Sequence, residues 1–156
     1  MDEFLGSWRL ESNEGLNELL IRLGIGYLTR KTLNASKPIL TFTRERGPGD
    51  PEVGEMFSMK ITSTLKSASC YFRIGYAFDE NTIDGRTVHT LFTIDGPMLK
   101  QEQHGTKTTH ITYTIDGDLL KTVSYSTEQD IYLCCHSGHI TSSLGMASTF
   151  PRHAFH

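Results

Sequence analysis

Short strand-like runs separated by tight turns fill most of this sequence and limit the folds it can adopt. Asp95-Gly96-Pro97, His104-Gly105 and Asp116-Gly117 stand between such runs and are typical of β-hairpin turns. Apolar and polar residues alternate within the runs, after a first alternating segment around Trp8. We predict strands over 39–43, 56–64, 69–74, 88–94, 98–103, 108–115, 119–126 and 130–135. Strands joined by such short turns pair antiparallel, so the pattern predicts a meander.

One helical segment interrupts the strand pattern near the N-terminus. Its apolar positions follow the helical spacing i, i+3, i+4, i+7 and are Leu16, Leu19, Leu20 and Leu23. Asn13 is the predicted N-cap of this first helix. A second helix is predicted over Tyr27–Ala35, because Pro38 limits how far it can extend. The two form a short helix pair between the first and second strands.

A meander of this length exposes two strand edges unless the sheet closes on itself. A closed sheet of about ten strands is wide enough to enclose a ligand cavity. The expected fold is therefore mainly β: a ten-stranded antiparallel up-and-down β-barrel with the helix-turn-helix as a lid over its mouth. We assign residues 1–136 to the barrel. Residues 137–156 have no clear periodicity and are expected to form a loosely ordered C-terminal tail.

Charge and cysteine content argue against several classes of protein. The chain has 15 basic and 18 acidic residues, a net charge of −3 spread along its length, so no nucleic-acid partner is expected. No apolar run approaches the roughly 20 residues of a membrane span, and no signal peptide is visible. Cys70, Cys134 and Cys135 make a poor disulfide framework. We therefore expect a cytoplasmic protein.

The chain also contains a series of specific residue strings in a fixed order. They are Phe4-Leu5-Gly6-x-Trp8, Leu23-Gly24-Ile25-Gly26, Thr29-Arg30-Lys31, Lys37-Pro38, Ile61-Thr62-Ser63-Thr64-Leu65-Lys66, Phe78-Asp79-Glu80, Asp84-Gly85-Arg86 and Asp116-Gly117-Asp118. In order and spacing these strings resemble the fatty acid-binding proteins, which are intracellular lipid-binding proteins of the calycin superfamily. The resemblance covers residues 4 to about 126, with an inserted surface loop at 44–55. Secreted lipocalins share the Gly-x-Trp element but lack a helix pair directly after the first strand.

The resemblance implies a carrier that binds long-chain fatty acids or similar hydrophobic ligands reversibly inside the barrel. It implies no catalysis and no cofactor, and we expect a monomer whose lid makes transient contact with membranes. No metal site is expected, because the histidines near the C-terminus lack ligand spacing. The ligand-binding positions carried over from the family are Leu16, Leu20, Ile25, Thr29, Leu33, Pro38, Ser63, Leu65, Asp84 and Arg86.

The chain departs from the family at the residues that hold the ligand's carboxylate. In the family, two arginines and a tyrosine from late strands bind this group. The first arginine falls on Tyr113, and the Arg-x-Tyr element of the closing strand falls on Leu133-Cys134-Cys135. Strand alternation makes Tyr113, Leu133 and Cys135 inward-facing candidates for ligand contact. Because neither arginine is present, the deep pocket is expected to be nearly neutral. Asp79, Glu80 and Asp84 fall in a turn-like run where solvated carboxylates are expected.

Three interpretations of this departure remain open at the level of sequence. The ligand's head group can lie toward the portal, near Arg86, Thr29 and Ser63. The protein can instead prefer a neutral lipid, such as an alcohol, an aldehyde, a monoacylglycerol or a sterol. Alternatively, the sequence beyond about residue 127 is an altered splice or reading-frame product with an impaired closing strand. In that case the chain would act as an interaction protein with an altered barrel.

Overall fold

The computed structural model describes residues 1–45, 54–126 and 131–141. In these residues ten antiparallel strands form one sheet, with a helix pair between the first two strands, which confirms the predicted fold class. After a 3₁₀ turn at Asp2–Phe4, the elements are β1 Gly6–Glu14, α1 Leu16–Arg22, α2 Tyr27–Ala35, β2 Ile39–Arg44, β3 Phe57–Thr62, β4 Ser67–Phe72, β5 Phe78–Asn81, β6 Thr87–Asp95, β7 Met98–His104, β8 Thr108–Asp116, β9 Leu119–Ser126 and β10 Ile131–His139. Residues 46–53, most of the predicted surface loop, lie outside the described residues.

The first strand, β1, pairs with the last strand, β10, and this pairing joins the two halves of the sheet. The strand order is β4-β3-β2-β1-β10-β9-β8-β7-β6-β5. β10 pairs with β1 as far as His139, which lies opposite Trp8, and with β9 as far as Gly138, which lies opposite Leu119. The barrel thus extends three residues past the predicted limit at 136, because this stretch has backbone partners on both sides. This pairing does not support an impaired closing strand; residues 142–156 of the predicted tail lie outside the described residues.

Stacked aromatic rings connect β4 and β5, the two end strands of the sheet. Phe72 of β4 stacks on Phe92 of β6, with 4.0 Å between ring centroids. Phe92 also stacks on Phe78 of β5 at 6.2 Å, and Phe57 of β3 stacks on Phe72 at 5.7 Å. Stacked aromatic pairs contribute more than their buried area alone. Ring packing therefore links the two ends of the sheet.

The helix pair begins later than the sequence predicts. Asn13, the expected N-cap, still belongs to β1, where it lies opposite Cys135. The N-cap is Gly15, whose φ of +87° is accessible to glycine at little cost. This residue turns the chain from strand to helix in one step. Across the pair, Leu20, Ile25 and Leu33 form a buried apolar cluster.

β5 is the strand that sequence analysis missed. Its four residues, Phe78–Asn81, include two acidic residues, which are depleted in strands. The Asp79 side chain is 85% exposed, as expected. Glu80, the next residue, lies on the opposite face and is only 6% exposed. The prediction that Glu80 is solvated is therefore wrong, and the interior of the barrel contains a carboxyl group.

Candidate ligand-binding cavity

A cavity of about 240 Å³ lies inside the barrel beneath the helices. α1 contributes three leucines to its lining, and Leu23 directly after it and Leu33 of α2 extend this surface. Leu40, Met59 and Ile111 are among the strand residues that contribute apolar surface. The stripe predicted from helical spacing therefore faces the cavity. Concave and mostly apolar surfaces with a few convergent polar groups are typical of small-molecule sites.

The structure brings most of the predicted site residues to this cavity. Those that line it are Leu16, Leu20, Leu33, Pro38, Asp84, Arg86, Tyr113, Leu133 and Cys135. Ile25 is buried in the cluster between the helices, and Thr29 is half-buried on α2. Neither is part of the lining.

Ser63 and Leu65 lie in the turn between β3 and β4, away from the cavity lining. The Ser63 hydroxyl donates to the Lys66 carbonyl oxygen at 2.9 Å and accepts from the Lys66 N–H at 3.2 Å. It therefore stabilises the turn. The Leu65 side chain at the tip of the turn is 75% exposed.

A hydrogen-bond network surrounds Glu80 on the polar side of the cavity. Its Oε2 accepts from Thr90 Oγ1 at 2.6 Å, from Gln103 Nε2 at 3.1 Å and from Gln101 Nε2 at 3.3 Å. The Tyr113 hydroxyl donates to Gln101 Oε1 at 2.7 Å. Burial raises the pKa of Tyr113 well above its usual value, and the negative charge of Glu80 contributes in the same direction. Tyr113 therefore remains a neutral donor at physiological pH.

Arg86 is held by its own set of partners at the edge of this network. Its Nε donates to both carboxylate oxygens of Asp84, at 3.1 and 3.0 Å. Its Nη2 donates to Gln103 Oε1 at 3.2 Å, and its Nη1 lies 3.5 Å from Thr109 Oγ1. Asp84 is not solvated as its turn-like run suggested: its side chain is 9% exposed and also accepts a hydrogen bond from Thr82. The guanidinium of Arg86, which lines the cavity, is thus paired with a carboxylate.

Sequence analysis missed several polar residues of the cavity, for different reasons. Gln101 and Gln103 alternate with outward residues along β7, so the predicted strand 98–103 already contained their signal. Glu80 gave no such signal, because β5 itself was not recognised. Nearby in the fold, Cys70 of β4 also lines the cavity and was not among the predicted site residues.

Two of the cysteines line the cavity and are expected to be unreactive. Burial, and next the charge of Glu80, raises the pKa of the Cys70 thiol to about 12. Burial raises the pKa of the Cys135 thiol to about 12, with a smaller contribution from the charge of the adjacent Cys134. Compared with the ordinary thiol value of 9.0, this leaves about a thousandfold less thiolate at mildly alkaline pH.

We therefore expect iodoacetamide to alkylate Cys70 and Cys135 of the native protein about a hundredfold more slowly than in the urea-unfolded chain. Peptide mass spectrometry over a time course measures each site separately. Equal rates in the native and unfolded states would contradict their placement in the barrel interior.

Two other kinds of site receive no support from the part of the chain that the structure describes. No helix there is long and apolar enough to cross a bilayer. Among the same residues, no group of three or more His, Cys, Asp or Glu side chains is arranged to hold a metal ion.

Comparison with known proteins gives consistent matches. A family model described as the lipocalin / cytosolic fatty-acid binding protein family matches residues 5–124. Fatty acid-binding protein type 3 of Fasciola hepatica is 43% identical over 95 residues, covering 61% of this chain and 66% of that protein. Fatty acid-binding protein homolog 1 of Echinococcus granulosus is 38% identical over 103 residues, covering 66% of this chain and 72% of the relative. The aligned segments thus span about two thirds to three quarters of these relatives.

Solved structures extend the likeness over more of the chain. The crystal structure of Echinococcus granulosus fatty-acid-binding protein 1 superposes with a TM-score of 0.81 at 32% identity, covering 90% of this chain and 100% of that one. The Schistosoma mansoni fatty acid binding protein in complex with arachidonic acid gives a TM-score of 0.81 at 31% identity, covering 90% and 98%. The barrel and its lid therefore have close structural counterparts.

Proposed function

The chain belongs to the lipocalin / cytosolic fatty-acid binding protein family, and we propose that it is an intracellular carrier that holds a long-chain fatty acid or a similar hydrophobic ligand reversibly inside its barrel. The observation that carries the proposal is the apolar cavity beneath the two helices. Relatives named as fatty acid-binding proteins, and a neighbour solved with arachidonic acid, support the same class of ligand.

Burial of the ligand's hydrocarbon chain supplies the affinity. Removing a CH₂ group from water stabilises the complex by about 0.8 kcal/mol, so a long chain contributes on the order of 10 kcal/mol before the costs of ordering. The leucines of the lid and the aliphatic strand residues provide the matching surface. The polar groups of the lining orient a head group, and the proposed role includes no catalytic step. Ile25, Thr29, Ser63 and Leu65 enter this proposal as lid and portal positions.

We propose that the carrier acts as a monomer in the cytoplasm. The description of the matching family as cytosolic supports the location. A cavity that forms within one chain, between its helices and its strands, supports the monomer.

Transient membrane contact through the lid forms part of the proposed mechanism. On α2, Tyr27 and Leu28 are 65% and 77% exposed, and Lys31 on the same helix is also exposed. Exposed apolar and basic side chains on one helix favour association with an anionic lipid surface.

Replacing Leu28 by aspartate is therefore expected to slow transfer of a fluorescent fatty acid to anionic vesicles severalfold, because the substitution removes apolar surface and adds negative charge. Equilibrium binding should not change, since Leu28 does not line the cavity. Ile94→Asp, at a residue 41% exposed on β6, is the matched control and should transfer at the wild-type rate. Weaker binding at an unchanged transfer rate would contradict this role.

Calorimetric titration of the delipidated chain with palmitate tests the proposed function. We expect saturable binding with a micromolar or lower Kd. Butyrate has the same head group but little chain to bury, so it should give no measurable binding. Absence of saturable palmitate and hexadecanol binding would refute the carrier function and favour a protein-interaction role.

A further inference from the structure

The charged groups that line the cavity carry a net negative charge. Among the residues that the structure describes they are Glu80, Asp84 and Arg86, so this lining has a net formal charge of −1. A buried ion costs several kcal/mol unless it is paired and hydrogen-bonded. A ligand carboxylate that enters this cavity therefore meets an excess of its own sign of charge.

Arg86 does not provide a ready partner for such a carboxylate. Its guanidinium is in direct contact with Asp84 and is part of the network through Gln103. A ligand carboxylate that approached Arg86 would also approach Asp84, whose side chain is 9% exposed. The attraction is thus offset by like-charge repulsion in a site with little water to screen it.

The hydrogen-bond donors that the described residues provide to Glu80 are all uncharged. The hydroxyl of Thr90 and the side-chain amides of Gln101 and Gln103 donate to its Oε2, and Arg86 reaches it only through Gln103. Tyr113, which donates to Gln101, brings a neutral hydroxyl to the position where the family pattern has an arginine. In the described part of the chain, the inner side of the cavity therefore presents the Glu80 carboxylate as an acceptor and has no uncompensated cation.

We propose that this inner polar side, formed by Glu80 with Gln101, Gln103 and Tyr113, binds a lipid head group that donates a hydrogen bond and carries no negative charge. The hydroxyl of a long-chain alcohol or of a monoacylglycerol has this chemistry. The inference rests on the proposed function, because it names the head group of the ligand in the same cavity. Fatty acids still bind through their chains, but more weakly than alcohols of equal length.

Three ligands with the same chain length separate the effect of ligand charge from the effect of hydrogen-bond donation without any mutation. Hexadecanol is neutral and donates a hydrogen bond, methyl palmitate is neutral and donates none, and palmitate is anionic. Displacement of a neutral fluorescent probe from the delipidated chain at neutral pH gives their relative affinities. We expect hexadecanol to bind about tenfold more tightly than palmitate and more tightly than the ester. Palmitate binding more tightly than hexadecanol overturns the inference but leaves the carrier function intact; no binding of any of the three overturns both.

Glu80→Gln tests the residue itself. The substitution removes the negative charge, so palmitate should bind about tenfold more tightly and hexadecanol severalfold more weakly. Glu102→Gln is the matched control, because Glu102 lies between Gln101 and Gln103 on β7 with a side chain 43% exposed; it should leave both affinities unchanged. Unchanged affinities in folded Glu80→Gln, verified by circular dichroism, overturn the inference. The wild-type comparison decides the question if this variant does not fold.

Discussion

Tyr113→Arg is expected to increase palmitate affinity by about 10- to 150-fold, because hydrogen bonds to charged groups contribute about 1.5–3 kcal/mol. Tyr113 lines the cavity and its hydroxyl donates to Gln101, which in turn donates to Glu80. A guanidinium here would offset the charge of Glu80 and offer further donors to a ligand carboxylate. Calorimetric titration with palmitate measures the gain.

Two comparisons make the Tyr113→Arg result specific. Hexadecanol affinity should stay within about threefold of wild type or fall, because an alcohol gains little from the new charge. Tyr113→Phe keeps the ring that packs against Phe42, at 5.5 Å between centroids, and removes only the hydroxyl. It should not improve palmitate binding. An equal gain for palmitate and hexadecanol would contradict an electrostatic origin.

Phe92→Ala is expected to lower the free energy of unfolding by about 3–5 kcal/mol, the range for removing a buried phenylalanine. Phe92 is fully buried and stacks between Phe72 of β4 and Phe78 of β5. These rings connect the two end strands of the sheet, so the loss weakens closure of the barrel. Urea unfolding followed by circular dichroism gives the difference.

A neighbouring residue on β6 provides the control for Phe92. Ile94→Ala should cost clearly less than Phe92→Ala, because Ile94 is 41% exposed and less of its side chain is removed from water than for the fully buried Phe92. Similar losses for the two variants would show that ring packing between the end strands does not stabilise the barrel.

The sequence predicted the architecture because the strands and turns follow simple rules. Alternation and glycine-containing turns located most strands, and α2 has the predicted bounds Tyr27–Ala35. The start of α1 was wrong because Gly15 changes the backbone direction through a positive φ, a property that side-chain pattern does not encode. β5 was missed because it is short and acidic, with its one buried carboxyl supported by partners distant in the chain.

The cavity was harder to predict than the barrel. Inward positions such as Leu20 and Tyr113 followed from helical spacing and strand alternation. The charge balance did not follow, because it depends on Glu80 and on the pairing of Arg86 with Asp84. Side-chain pairing of this kind depends on the tertiary structure. The sequence therefore predicted a nearly neutral interior, whereas the cavity lining has a net negative charge.

A crystal structure of the delipidated chain after equilibration with hexadecanol tests the account most directly. We predict continuous electron density for one hydrocarbon chain inside the barrel, in contact with Leu20 and Leu33, with the hydroxyl within hydrogen-bond distance of the polar groups around Glu80. Density confined to the outer surface, with the barrel interior occupied only by the protein's own side chains, would contradict it.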